Sequence, residues 1–258
     1  MQTNGSILTA LLFTALAGLS TTVGSLIGFF YRDPGPRFMA FTMGFSAGVM
    51  VYVSFVELLN KSVQTIGFLQ ANAAFFLGIL LMFAIDLLLP HTYMLESGKD
   101  SAGVGGGGDK LKKASLLVAL GIGIHNFPEG MATLAGTLQD LKLGAAIAVA
   151  IAIHNIPEGI AVAVPVYAAT KDARKAFAWS FLSGVSEPVG ALLAALLLLP
   201  FMDAAVLGWM LSIVAGFMIF IAFDELMPIA HSYATEHLAI VGVTTGMIVM
   251  ALSLALLY

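Results

Sequence analysis

The sequence predicts an all-α polytopic membrane protein built as a bundle of eight transmembrane helices. Three observations predict it. Of 258 residues, 59% are hydrophobic and 10% charged, against about 25% charged in a soluble domain, so the chain cannot cover itself for water. Eight stretches each supply the roughly 20 apolar residues that cross a hydrocarbon core of about 30 Å. Their length and period fit helices, not the short alternating strands of a barrel, the other structure that satisfies its backbone hydrogen bonds in lipid.

The spans are taken in order, as one transporter domain over 1–258. The first, 7–30, has no basic residue ahead of it and exceeds a leader-peptide core, so it is expected to stay in the mature chain. Arg32-Asp33-Pro34-Gly35-Pro36-Arg37 separates it from the second, 37–60, and Lys61-Ser62 reads as the next break, before 69–90. The longest break, 96–113, contains Gly105-Gly106-Gly107-Gly108 and is expected to be a flexible cytoplasmic loop. Spans 114–137 and 142–168 follow, parted by Asp140-Leu141-Lys142. Lys171-Asp172-Ala173-Arg174-Lys175 introduces 174–199, and Pro200 to Asp203 separates it from 205–230 and the last span, 237–257. With no cysteine, the chain has neither disulfides nor thiolate metal ligands.

Basic residues orient the bundle. Alternate loops on one side hold Arg32, Arg37, Lys99, Lys110, Lys112, Lys113, Lys171, Arg174 and Lys175, and the other side holds Lys61 and Lys142. Positive residues stay on the cytoplasmic side, which puts both termini outside.

Intramembrane charges are costly and mark pathways. The spans contain Glu57, Asp86, Glu129, Glu158, Glu187, Asp224 and Glu225, and their interiors contain no Lys or Arg. Such carboxylates must hold protons or meet a mobile cation, which points to a cation pathway.

The motif His-Asn-x-Pro-Glu-Gly occurs at 125–130 and again 29 positions later, at 154–159. His125 and Glu129 are four apart and share a helix face, as do His154 and Glu158. Each histidine lies about a dozen residues into its span, and so does Glu187 of Ser183-Gly184-Val185-Ser186-Glu187-Pro188, which places all of them near the midplane. Asn126 and Asn155 add carboxamides at the same level. Imidazole nitrogen with carboxylate oxygen suits zinc and its first-row neighbours. Pro128 and Pro157 lack an N–H, so the carbonyls of Ile124 and Ile153 are expected to lose helical partners at a kink beside the site. Gly130 and Gly159 permit close helix approach.

These paired motifs, with Ser-Glu-Pro on the next span, resemble the ZIP (Zrt/Irt-like) family of divalent-metal transporters, in its short bacterial form, over essentially the whole chain. The resemblance implies a 3+2+3 pseudo-symmetric inverted repeat, a homodimer, and zinc uptake across the bacterial inner membrane. Fe2+, Mn2+, Co2+ and Cd2+ are implied as further cargo, with no cofactor and no nucleic acid. It also implies a binuclear centre: one position from His125, Glu129, His154 and Glu158, the other from Asn126, Asn155 and Glu187, with Glu129 and Glu158 bridging. The histidine-free 96–113 loop argues against metal sensing there.

Independently of that resemblance, Phe55-Val56-Glu57-Leu58 echoes Phe223-Asp224-Glu225-Leu226, as an inverted repeat would. Asp86, Asp224 and Glu225 lie below the midplane and His91 and His231 at cytoplasmic helix ends, which gives an expected exit route. Glu57 reads as an entry residue or as a snorkelling interfacial carboxylate. An intramembrane zinc hydrolase is the main rival, but the His-Glu-x-x-His spacing of many such enzymes is missing and a doubled motif exceeds what one catalytic zinc needs. The reading is therefore a transporter rather than an enzyme.

Overall fold

A computed structural model describes residues 6–30, 35–87, 108–201, 203–233 and 237–257. Among them every regular element is helical: α1 (Ile7–Phe30), α2 (Pro36–Ile66), α3 (Phe68–Asp86), α4 (Gly108–Gln139), α5 (Leu141–Thr170), α6 (Ala173–Leu198), α7 (Ala204–Tyr233) and α8 (Leu238–Leu257), with a 3-10 turn at Leu199–Phe201. All but α4 are long and apolar enough to cross a membrane by their described residues, and α4 itself has 32 residues. Even the 19 residues of α3 rise about 29 Å. Outward-facing leucines such as Leu69 and Leu256 are 81% and 88% exposed, a surface made for lipid. The chain is an all-α polytopic membrane protein.

Local chemistry sets the helix ends. Asp140 and Asp203 cap α5 and α7 by accepting from the backbone N–H of Leu143 (3.0 Å) and Val206 (2.8 Å). Lys171 closes α5 in the left-handed region at φ 52°, and Gly67 makes the α2–α3 turn at φ 86°.

Two expectations are corrected here. Lys61-Ser62 is not a break, because α2 continues to Ile66. Ser62 is buried and donates to the Gly208 carbonyl at 2.8 Å, while Asn60 and Gln64 point outward; polar composition at a helix end mimics a loop. The expected loop is shorter, since residues 108–113 belong to α4; 96–107, with Lys99, and Arg32 lie outside the described residues. Pro128 and Pro157 sit inside α4 and α5, whose helical course continues past both.

The helices sort into two groups of four. In one, α1, α4, α5 and α6 pack together; in the other, α2 packs along α8 and α3 along α7. Glycines mark the tightest contacts within each group. A Cβ at Gly18 would collide with the Gly184 carbonyl, at Gly130 with that of Glu187, at Gly48 with that of Val243, and at Gly216 with that of Phe75. Among the described residues no such glycine contact joins the two groups. The seam between them, α2 on α5 and α4 on α7, is crossed by side chains: Gln139 donates to Thr65 Oγ1 at 2.7 Å, and Ser46 Oγ to the His154 carbonyl at 3.4 Å.

The contacts repeat at fixed offsets. Gly24 abuts Ile156 and Gly190 abuts Phe127; Gly159 abuts Thr21 and Gly130 abuts Glu187. Positions on α1 therefore map to α6 with a separation of 166, while α4 maps to α5 with 29. Likewise Gly48 on Val243 matches Gly216 on Phe75, a separation of 168 that also relates Glu57 to Glu225. An odd and an even helix exchange in each case, so the halves form an inverted repeat.

That repeat extends to an irregularity. Ser54–Leu59 within α2 and Ala222–Leu226 within α7 are π-helical, each carrying its glutamate, buried Glu57 or Glu225. The sequence echo at these two places is thus a shared backbone distortion, of the kind that concentrates at functional sites.

Candidate metal centre

The turn at Asp140 sends α5 back along α4, so the two motif copies meet inside one four-helix group. Asn126, Glu129, His154, Asn155 and Glu187 have no exposed surface, and Glu158 has 2%. One ligand atom from each of Glu129, His154 and Glu158 lies within 4.8 Å of the others. Glu187, on α6, joins this region through Asn155, whose Nδ2 donates to its Oε1.

His154 is oriented by its own helix. Its Nδ1–H points at the Ala150 carbonyl, 2.9 Å away, which leaves Nε2 facing Glu129 Oε1 at 3.1 Å. With Nδ1 protonated, a neutral imidazole presents a lone pair at Nε2. Two lone pairs at that distance repel, so the gap holds a proton or a cation.

The asparagines are held by their nitrogens. Asn126 Nδ2 donates to the Ser183 carbonyl at 3.3 Å. Asn155 Nδ2 donates both to the Ala17 carbonyl at 3.1 Å and, closely, to Glu187 Oε1. Each carboxamide oxygen is thereby turned away from these acceptors, and both are buried without a hydrogen-bond partner, as are one oxygen each of Glu129, Glu158 and Glu187. Buried oxygens left without donors are expensive unless a cation meets them.

The structure brings together Glu129, His154 and Glu158, bonds Asn155 to Glu187 and bonds Asn126 to the Ser183 carbonyl on α6. The side chain of His125 lies outside the described residues, as does His91. Glu57, Asp86 and Glu225 are buried elsewhere, and Asp224 and His231 are exposed. His231 Nδ1 pairs with the Met227 carbonyl at 2.8 Å. Glu57, Asp86, Asp224, Glu225 and His231 do not belong to the central group.

Acceptor oxygens and one imidazole, buried in an apolar bundle with no basic side chain among them, make a site for a divalent cation. The family described as "ZIP Zinc transporter" matches residues 96–254. The chain belongs to the ZIP family. It is 49% identical to a zinc transporter ZupT of Nitratidesulfovibrio vulgaris, covering 99% of both chains. Proteins of the same description from Streptococcus mutans and Lysinibacillus sphaericus are 48% and 46% identical, covering 96% and 98% of this chain. ZIP proteins are transporters, not enzymes, which removes the hydrolase alternative.

Two contributors to this ZIP centre escape sequence reasoning. α1 forms one wall, through the Ala17 carbonyl on Asn155 and Gly18 on Gly184; the matching glycine spacings in α1 and α6 were the available signal. Ser183 is the other. It is 3% exposed and its hydroxyl has no partner.

Proposed function

We propose that this protein takes zinc into the cytoplasm across the bacterial inner membrane, binding it between α4, α5 and α6. The observation that carries the proposal is the buried Glu129–His154–Glu158 group, whose donor atoms lie within 4.8 Å and whose nitrogen–oxygen chemistry matches zinc. The names of the relatives agree with it. His125, one helical turn from Glu129, completes the first position, and Asn126, Asn155 and Glu187 form the second, with Glu129 and Glu158 between them. Fe2+, Mn2+, Co2+ and Cd2+ are further cargo, since nitrogen–oxygen sites follow a common affinity order.

The packing supports a carrier. Every central ligand belongs to the group containing α1, α4, α5 and α6, which glycine contacts lock internally. The other group meets it through side chains that can slide. A hydrated ion exchanges water for the carboxylates and imidazole, and the ligand-bearing group then shifts as a body to release it on the other side. Glu57 serves entry, and Asp86, Asp224, Glu225, His91 and His231 serve exit. Both termini face outward by the loop charges, and the functional unit is a homodimer; cysteine labelling from either side and the mass of the detergent-purified protein test these two points. The central test is zinc uptake into proteoliposomes: Glu129→Ala and Glu158→Ala should abolish it in folded protein, and near-normal uptake would refute the site.

A further inference from the structure

The inverted repeat supplies an internal control on which residues serve the cargo. Asn126 donates to the carbonyl of residue 183 as Asn155 donates to the carbonyl of residue 17. Positions 17 and 183 are two-fold mates, as are 21 and 187. The backbone contacts are thus preserved, yet the side chains differ: Ala17 and Thr21 on α1, Ser183 and Glu187 on α6. The pair on α6 shares one helix face, four residues apart.

Buried hydroxyls in this bundle usually return to a carbonyl. Thr133 donates to Glu129, Thr137 to Thr133, Ser180 to Thr21 and Ser212 to Ala71. Ser183 does not, although it is buried. Thr21, Thr22 and Ser54 share that condition, but Ser183 alone among them lies one turn from Glu187 with its carbonyl held by Asn126. Asn126 reaches the Ser183 carbonyl and Asn155 reaches Glu187, one turn further along α6, and the two carboxamide oxygens and Glu187 Oε2 are buried without hydrogen-bond partners. Among the described residues these donors are all oxygens, whereas His154 Nε2 faces Glu129.

We propose that Ser183 is a further cargo ligand, whose hydroxyl completes an oxygen-only end of the site with Asn126, Asn155 and Glu187. Carboxylate, carbonyl and hydroxyl oxygens are hard donors, suited to Mn2+ more than to the softer ions that an imidazole favours. The end nearer His154 therefore favours zinc, and the end nearer Ser183 widens the cargo toward manganese. The assignment rests on the transport reading above.

Full-length protein in proteoliposomes tests it, with Mn2+ and Zn2+ uptake measured for wild type, Ser183→Ala, Ser183→Thr and Ser183→Cys. Alanine is accommodated at the mate position 17, so Ser183→Ala should fold. Losing one oxygen ligand should lower manganese uptake relative to zinc by about tenfold, and threonine, which keeps the hydroxyl, should restore the ratio. The chain has no native cysteine, so a thiolate–cadmium charge-transfer absorption in Ser183→Cys would report direct contact with the ion. If alanine and threonine give the same manganese-to-zinc ratio, or cadmium binds Ser183→Cys without that absorption, the assignment falls while zinc transport stands. A wild-type protein that moves neither ion overturns both.

Discussion

Gly130→Ala separates position from ligation, because it removes no donor atom. A Cβ at Gly130 would lie 2.7 Å from the Glu187 carbonyl carbon and 3.0 Å from its Cα. Both atoms are backbone, so no side chain can rotate aside. The Glu187 carbonyl oxygen is closer still, and ordinary contacts begin near about 3.5 Å, so α4 and α6 must part by roughly 1–1.5 Å. That carries Glu187 away from Asn155 and the Glu129–His154–Glu158 group. Overpacking of this kind costs about 1–3 kcal/mol of stability, and a displacement of about 1 Å at a reacting centre costs on the order of a hundredfold in rate. Zinc flux into proteoliposomes, normalised to folded protein by size exclusion, should fall by about that factor. Gly246→Ala is the control: its Cβ meets the Phe45 carbonyl carbon at 3.0 Å, a backbone clash of the same kind, slightly milder, in the group that holds no central ligand. It should lose stability and keep most of its flux. Gly130→Ala protein that folds and transports normally would refute the claim that helix spacing positions Glu187.

Further outcomes follow from the same geometry. Zinc binding should release protons, measured with an indicator dye, because a proton and zinc compete for the gap between His154 Nε2 and Glu129 Oε1; zinc affinity should accordingly weaken as pH falls, and Glu129→Gln should reduce the release. Joining Thr65→Cys to Gln139→Cys with a short bis-methanethiosulfonate cross-linker, which spans the length of the lost glutamine side chain, should arrest transport until a reductant is added, since the native side chains meet across the seam at 2.7 Å. Undiminished flux in the cross-linked pair would argue against movement of one helix group past the other. Asn155→Leu should cost both binding and stability, because it leaves Glu187 Oε1 without its Asn155 donor and removes the tie to the Ala17 carbonyl; isothermal titration and thermal melting report the two losses, about 1–3 kcal/mol for the second.

The eight helices and the central cluster were legible in sequence because their signals are collective. Apolar length sets the spans, and the doubled motif at a 29-residue interval fixes matching depths on antiparallel neighbours. Single polar residues were less readable. Lys61 and Ser62 looked like a loop, since composition does not distinguish a helix end from a turn, and only the contact with Gly208 does. The Phe-x-Glu-Leu echo was visible, but a π-helical turn alters hydrogen bonding without altering residue type. Ser183 gave no sign of its own, because a serine in an apolar helix ordinarily bonds to its backbone, and only its failure to do so sets it apart. The exit residues remain a matter of depth in sequence, and the central group does not include them.

Because the repeat is inverted, the molecule contains a template for its own second conformation. Exchanging the arrangements of the two halves turns an entrance into an exit without inventing any new packing. The offsets that relate α2 to α7 and α4 to α5 assign a counterpart to the Thr65–Gln139 contact: Tyr233 with position 168. The first contact should open as the second closes, so a cysteine pair at 168 and 233 would trap the state that the pair at 65 and 139 excludes.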